Sequence, residues 1–152
     1  MLRNRYDVVE ERGRPLSRSV DGSIKPAFER YATTDAALES RAKRYFERTL
    51  RLLSQMGTTQ AVVLMPLHPR LLAAVRSAGW EERHDEVMTF LTELQGRYGF
   101  VLLDCSNLAT FKGDPKNFYD GFHVKQANAR RLTRSVVVKL PAVFAETADT
   151  PP

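Results

Sequence analysis

Cysteine and histidine, the residues most often found in metal sites, are scarce in this chain. Its 152 residues include one cysteine, Cys105, and three histidines, His68, His84 and His123. A single cysteine excludes an intrachain disulfide, and these four residues lack the paired spacing of a structural zinc site. We therefore predict that the chain binds neither a metal nor another cofactor.

Long hydrophobic runs are also absent. The longest apolar segments, residues 61–65 and 100–103, are far shorter than the ~18 residues that cross a bilayer, so we expect no membrane span. The chain is charged from Arg3 onward and has no apolar signal segment, which predicts a cytoplasmic protein for the chain as given. A location outside the cytoplasm stays open if another segment precedes Met1.

Basic residues exceed acidic residues by 23 to 18, and the net charge is +5. Such an excess can indicate a nucleic-acid partner. Here the most basic helical segment also contains Glu39 and Glu47, and no aromatic residues interleave with a basic stripe as base stacking requires. We interpret the charges as solvated helix faces, and a nucleic-acid-associated module is the weakest of the alternatives.

Turn-forming residues divide the chain into three regions. Residues 1–34 contain two glycines and two prolines, which predict an irregular arm with at most a short strand at residues 6–9. From residue 35 to residue 145, apolar residues recur at helix and strand spacings, which predicts one folded domain. Residues 146–152 are predicted to form a disordered tail.

The middle region has the pattern of an α/β domain. Two apolar runs without polar alternation predict buried parallel strands at 61–65 and 100–103. Helical periodicity predicts helices at 35–56 (ended by Gly57), 70–78, 81–98 and 125–140. This order predicts flavodoxin-like, three-layer packing around a parallel sheet. Two strands are few for such a sheet, so it is predicted to be incomplete, with an exposed edge that could pair with a second copy.

Polar residues follow both predicted strands. Loops past the carboxyl ends of parallel strands form the ligand sites of open α/β sheets. His68 lies in the first such loop, between Pro66 and Pro69, and Asp104 and Asn107 lie in the second. We predict that His68, Asp104 and Asn107 bind substrate. The alternatives are a His68 that is merely exposed and an Asp104 that caps the turn after its strand.

The loop before the last helix contains our candidate catalytic residues, Asp120 and His123. They are three residues apart, with Gly121 between them. At this spacing both side chains can face one point, so that the carboxylate orients the imidazole. The alternative is a polar loop in which Asp120 caps a turn and His123 caps the last helix.

The order of these motifs resembles the C-terminal half of the SGNH, or GDSL-type, hydrolase superfamily. The resemblance covers residues 36–140: a strand followed by Met-Pro-Leu-His-Pro, a strand ending in Leu-Leu-Asp, and Phe-Tyr-Asp-Gly-Phe-His before the last helix. It implies that Asp120 is the orienting carboxylate and His123 the general base of a Ser-His-Asp triad. The implied reaction is acyl transfer from an ester, with carbohydrate and lipid esters as candidate substrates.

The chain lacks the motifs that complete such a site. It contains neither Gly-Asp-Ser, which holds the family's nucleophile, nor the Gly-x-Asn-Asp block of its oxyanion hole. We therefore predict the C-terminal portion of a serine esterase or O-acyltransferase, inactive by itself. The alternatives are a non-catalytic SGNH-like binding domain and a truncated product. Cys105 could instead pair with His123 as a thiol nucleophile, or pack in the core as a small residue.

Overall fold

A computed structural model of the protein describes residues 15–32 and 38–140. In chain order, these residues form α1 (Leu16–Ala32), α2 (Ser40–Gln55), β1 (Ala61–Leu64), α3 (Pro69–Arg76), α4 (Trp80–Tyr98), β2 (Val101–Asp104), a 3-10 turn (Leu108–Phe111) and α5 (Gln126–Lys139). The two strands form one parallel sheet, and most other described residues are helical. The predicted α/β class is confirmed at this level of detail.

From α2 onward, the predicted and observed elements agree to within a few residues. The helix expected from residue 35 begins at Ser40, and residues 33–37 lie outside the described part. Gly57, the predicted helix terminator, has a left-handed φ of 69°. Among the described residues, no helix combines the length and the apolar composition needed to cross a bilayer. The strand predicted at 6–9 and the tail predicted at 146–152 lie outside the described residues.

The prediction of an irregular arm over residues 1–34 is wrong where the structure can be described, since residues 16–32 form helix α1. Pro26 and Gly22 suggested a break, yet Pro26 is exposed on the helix surface and no atoms crowd Gly22. The apolar face of α1 packs on α3 in a cluster that includes Val20, Ala27 and Leu71. This burial offsets the cost to the helix of a proline, about 3 kcal/mol, and of a glycine, about 1 kcal/mol.

Helices cover both faces of the small sheet. Val62 of β1 packs with α2 and α4 on one face, whereas Val63 packs with Leu103 and with Leu132 of α5 on the other. This arrangement agrees with the uninterrupted apolar runs in the sequence. Because the strands are parallel, the loops that follow Leu64 and Asp104 leave from the same edge of the sheet, which we call the carboxyl edge.

Candidate functional site

Asp120 and His123 form a hydrogen-bonded pair. His123 Nδ1 lies 2.8 Å from Asp120 Oδ2 and 3.0 Å from Asp120 Oδ1. The loop that holds them is closed by an antiparallel bridge between Phe118 and Val124 and by a 2.8 Å hydrogen bond from Tyr119 N–H to the His123 carbonyl. The prediction that these two side chains come within hydrogen-bond distance is confirmed.

Backbone amides hold the Asp120 carboxylate in place. Its Oδ1 accepts hydrogen bonds from Phe122 N–H at 2.7 Å and from His123 N–H at 2.9 Å. Partial burial raises the pKa of Asp120, but these hydrogen bonds and the His123 ring outweigh it, so the pKa lies below its usual value. An ionised Asp120 accepts a hydrogen bond from His123 Nδ1–H, so in neutral His123 the ring atom that can accept a proton is Nε2.

Tertiary contacts fix the position of this loop. The Gly121 carbonyl accepts a 2.9 Å hydrogen bond from His68 N–H, and Gly121 N–H donates to Ser23 Oγ of α1 at 3.2 Å. A Cβ atom at residue 121 would lie 2.6 Å from Leu71 Cδ2 and 2.7 Å from Ser23 Cβ. The close approach therefore requires a glycine, and it locks the loop of Asp120 and His123 against α1 and α3.

His68 packs beside this loop as the N-cap of α3. Its Nδ1 accepts a hydrogen bond from Arg70 N–H at 3.2 Å, and its ring contacts Phe118 edge-on, with 5.4 Å between ring centroids. Burial and the charge of Arg70 lower the pKa of His68, although a hydrogen bond to the Pro115 carbonyl acts in the opposite direction. The half-buried ring joins two loops at the carboxyl edge, and its contact with substrate stays a prediction.

Asp104 also pairs with a histidine, His84 of α4, and this contact is not among those predicted from the sequence. The distance from Asp104 Oδ2 to His84 Nε2 is 2.9 Å, and Asp104 Oδ1 accepts a 2.9 Å hydrogen bond from Ser106 N–H. The His84 ring is stacked on Trp80, with 4.8 Å between ring centroids. The two paired residues are 20 positions apart, so no local pattern in the sequence could have revealed the contact.

The environment of Asp104 favours its ionised form. Burial raises the pKa of Asp104, but hydrogen bonds from Ser106 and His84 outweigh this effect and lower the pKa below its usual value. The bond from Ser106 N–H matches the alternative in which Asp104 caps the turn after β2. Asn107, the other residue of this loop predicted to bind substrate, accepts a 2.9 Å hydrogen bond from Ala109 N–H and so caps the 3-10 turn.

A cavity of about 420 Å³ opens at the carboxyl edge, and we call it the carboxyl-edge cavity. The lining comes from the loop after β1, from α3, from the start of α4 and from the loop after β2, and it includes Leu67, Leu72, Trp80, His84, Asn107 and Leu108. Of the predicted substrate-binding residues, Asn107 therefore lines the cavity, Asp104 lies behind it in contact with His84, and His68 lies between the lining residues Leu67 and Pro69. Asp120 and His123 do not belong to this lining.

Cys105 occupies the core. It is fully buried in a cluster with Leu103, Phe111 and Leu132, as expected for a small apolar residue after a strand. Burial and the negative charge of Asp104 raise the pKa of the Cys105 thiol. Both observations disfavour the alternative in which Cys105 acts as a nucleophile, since the thiolate is the reactive form.

Two further observations concern a metal ion and a serine hydroxyl near this site. Within residues 15–32 and 38–140, no group of three or more His, Cys, Asp and Glu residues could hold a metal ion. Ser23, which lies against the loop of Asp120 and His123, uses its hydroxyl in hydrogen bonds with Gly121 N–H and with the Ser19 carbonyl at 3.1 Å.

Comparison of the chain with protein-family models, with curated proteins and with solved structures found no match.

Proposed function

We propose that the chain is the C-terminal portion of an SGNH-like serine esterase or O-acyltransferase and that Asp120 and His123 are its acid and base. In this proposal, the described α/β unit belongs to a flavodoxin-like, three-layer fold with further strands beside β1 and β2. The observation that supports it most is the geometry of Asp120, whose carboxylate is held by two backbone amides and contacts His123 Nδ1 at 2.8 Å.

The pair would act in the usual order of serine hydrolysis. Neutral His123 takes the proton of a serine hydroxyl at Nε2 while the serine oxygen attacks the ester carbonyl. Asp120 holds the ring and stabilises the imidazolium that forms. His123 then returns the proton to the leaving alcohol, and an acyl-serine remains. Water releases the acid in an esterase, whereas a second alcohol takes the acyl group in an O-acyltransferase. Carbohydrate and lipid esters both fit this chemistry.

The alternative function is a non-catalytic SGNH-like binding domain. It is favoured by the sequence itself, which contains no Gly-Asp-Ser block to provide the nucleophile. In this case the pair of Asp120 and His123 would only stabilise its loop, and the carboxyl-edge cavity would be the functional feature. The two functions differ in whether a serine in contact with His123 becomes reactive.

A comparison of two protein forms tests the proposal. The chain by itself should hydrolyse p-nitrophenyl acetate no faster than buffer, because the serine and the oxyanion donors each contribute several kcal/mol to catalysis. A second form adds whatever coding sequence lies in frame upstream. This form should contain a serine that reacts with a fluorophosphonate probe, and His123→Ala should abolish the labelling.

Two variants control this experiment. Ser23→Ala should not abolish the labelling of the longer form, because Ser23 is not the proposed nucleophile and the loss of its hydrogen bond to Gly121 N–H removes only one of the contacts that hold the loop. If Ser23→Ala abolishes turnover of the chain by itself, the nucleophile lies in α1 and not in an upstream block. If the longer form is labelled and hydrolyses esters equally well with His123→Ala, the proposed role of His123 is wrong.

A further inference from the structure

The carboxyl-edge cavity has the dimensions and position of a small-molecule site. Its volume of about 420 Å³ falls within the range of about 300–1,000 Å³ that is typical of ligand pockets. It lies where the loops after both strands meet, which is the usual ligand position in an open α/β sheet. Trp80 and His84 also line a second cavity of about 190 Å³ on the side of α1.

Part of the cavity wall is apolar. Leu67, Leu72 and Leu108 line it together with the Trp80 ring, beside the polar side chains of Arg76, Glu81 and His84. A short acyl chain placed there would remove apolar surface from water on both sides, which is favourable by about 25 cal/mol per Å².

The two charged residues that line the cavity, Arg76 and Glu81, are paired with each other. Arg76 Nε lies 2.8 Å from Glu81 Oε1, and the Asp104 carboxylate behind the wall is bound by His84 and Ser106. An anionic ligand would therefore have to compete with Glu81 for Arg76, and it would be repelled by the Glu81 carboxylate. A neutral ligand avoids both costs.

Asn107 provides a hydrogen-bond donor. Its side-chain oxygen is used to cap the 3-10 turn, through Ala109 N–H. Its amide Nδ2 donates no hydrogen bond within the described part of the chain. A carbonyl oxygen of a ligand in the cavity can accept a hydrogen bond from this group.

We infer that the carboxyl-edge cavity binds the acyl part of a neutral ester, with the chain against Leu67, Leu72 and Leu108 and the carbonyl on Asn107. The identity of the natural ligand as an ester rests on the proposed function, whereas the binding of a neutral acyl group does not. The cavity and the loop of Asp120 and His123 are connected through His68, whose N–H bonds the Gly121 carbonyl.

Trp80 makes this inference testable because it is the chain's one tryptophan and lines the cavity. Hexanamide, a stable analogue of an acyl ester, should change the fluorescence of Trp80 in a saturable manner. Hexanoate has the same chain and a negative charge, and it should bind at least about tenfold more weakly. Equal binding of the two probes, or no saturable change with hexanamide, would overturn the inference.

Two substitutions locate the binding. Ala73→Leu places a larger side chain in the lining from an exposed position of α3 and should weaken hexanamide binding at least about fivefold. Ala127→Leu makes the same change on an exposed position of α5, outside the lining, and should have no effect. Similar affinities of the two variants would place the binding elsewhere.

Asn107→Asp tests the carbonyl contact. It keeps an oxygen that can accept from Ala109 N–H, so the 3-10 turn stays capped, but it removes the amide donor. Hexanamide binding should weaken about fivefold or more, and an unchanged affinity would contradict the assigned contact.

The binding of hexanamide does not depend on catalysis. His123→Ala should leave hexanamide binding unchanged. Retained binding in a protein whose longer form lacks any reactive serine would refute the hydrolase proposal and leave the acyl site standing.

Discussion

The two Asp–His pairs use the same chemical groups in different surroundings. His123 is exposed over 46% of its side chain and its partner Asp120 is held by the backbone of its own loop. His84 is exposed over only 17%, is stacked on Trp80 and reaches Asp104 at the end of a strand. The first pair is accessible to solvent, as the proposed proton transfer requires. The second pair is suited to hold α4 against the carboxyl edge of the sheet.

The largest expected effect is on turnover, and it separates His123 from the neighbouring His68. If the proposed function holds, His123→Ala in a longer form that contains a nucleophile should lower kcat by a factor of about 10²–10⁴, the range for loss of a general base. His68→Ala should mainly raise KM, because the ring stabilises a neighbouring loop and does not transfer a proton. Steady-state kinetics with p-nitrophenyl acetate would measure both. Equal losses of kcat in the two variants would remove the distinction between them.

The next prediction concerns the packing that positions the exposed pair. Gly121→Ala should destabilise the protein by about 1–3 kcal/mol, because the new Cβ would overlap Leu71 and Ser23. Gly96→Ala is the matched control. This residue lies within α4 with no atoms near its position, so alanine should stabilise the protein by about 0.5–1 kcal/mol. Urea denaturation measures both, and the same sign for the two changes would contradict the assigned packing.

We expect His84→Ala to lower the free energy of unfolding more than His123→Ala does. His84→Ala leaves the Asp104 carboxylate without one partner and exposes a face of Trp80, which should cost about 1–3 kcal/mol. His123→Ala should cost less than about 1 kcal/mol, since Asp120 keeps its two backbone donors. A larger loss for His123→Ala in chemical denaturation would mean that the exposed pair is the structural one.

The smallest effect is expected in the pH dependence of stability. The pKa values of Asp104 and Asp120 are lowered in the folded protein, so each group stabilises it fully above its unfolded-state pKa of about 3.9. This contribution is lost as the pH falls from about 4 through the folded-state pKa. Asp104→Asn and Asp120→Asn should each flatten the decrease in unfolding free energy between about pH 5 and about pH 2. If the unfolding free energy of both variants falls with pH as steeply as that of the unmodified protein, the two carboxylates do not have lowered pKa values.

Local patterns in the sequence predicted most of the helices and strands, and they also predicted the pair of Asp120 and His123. The apolar runs at β1 and β2 and the helical periodicities from α2 to α5 predicted those elements within a few residues. Asp120 and His123 meet because a short loop with an aspartate that accepts two neighbouring N–H groups brings them together. Contacts between residues three positions apart depend on local geometry, which the sequence contains directly.

The remaining features depend on contacts between residues that are far apart in the sequence. Helix α1 forms despite Gly22 and Pro26 because its apolar face is buried on α3, and no local propensity indicates that burial. His84 meets Asp104, and Asn107 comes to line a cavity with Leu72, only after α3, α4 and the loop following β2 have packed together. The sequence by itself therefore determined the strands, the later helices and the exposed Asp–His pair. The tertiary structure alone decided the first helix, the buried pair and the cavity, because these depend on free energy gained between segments that are far apart along the chain.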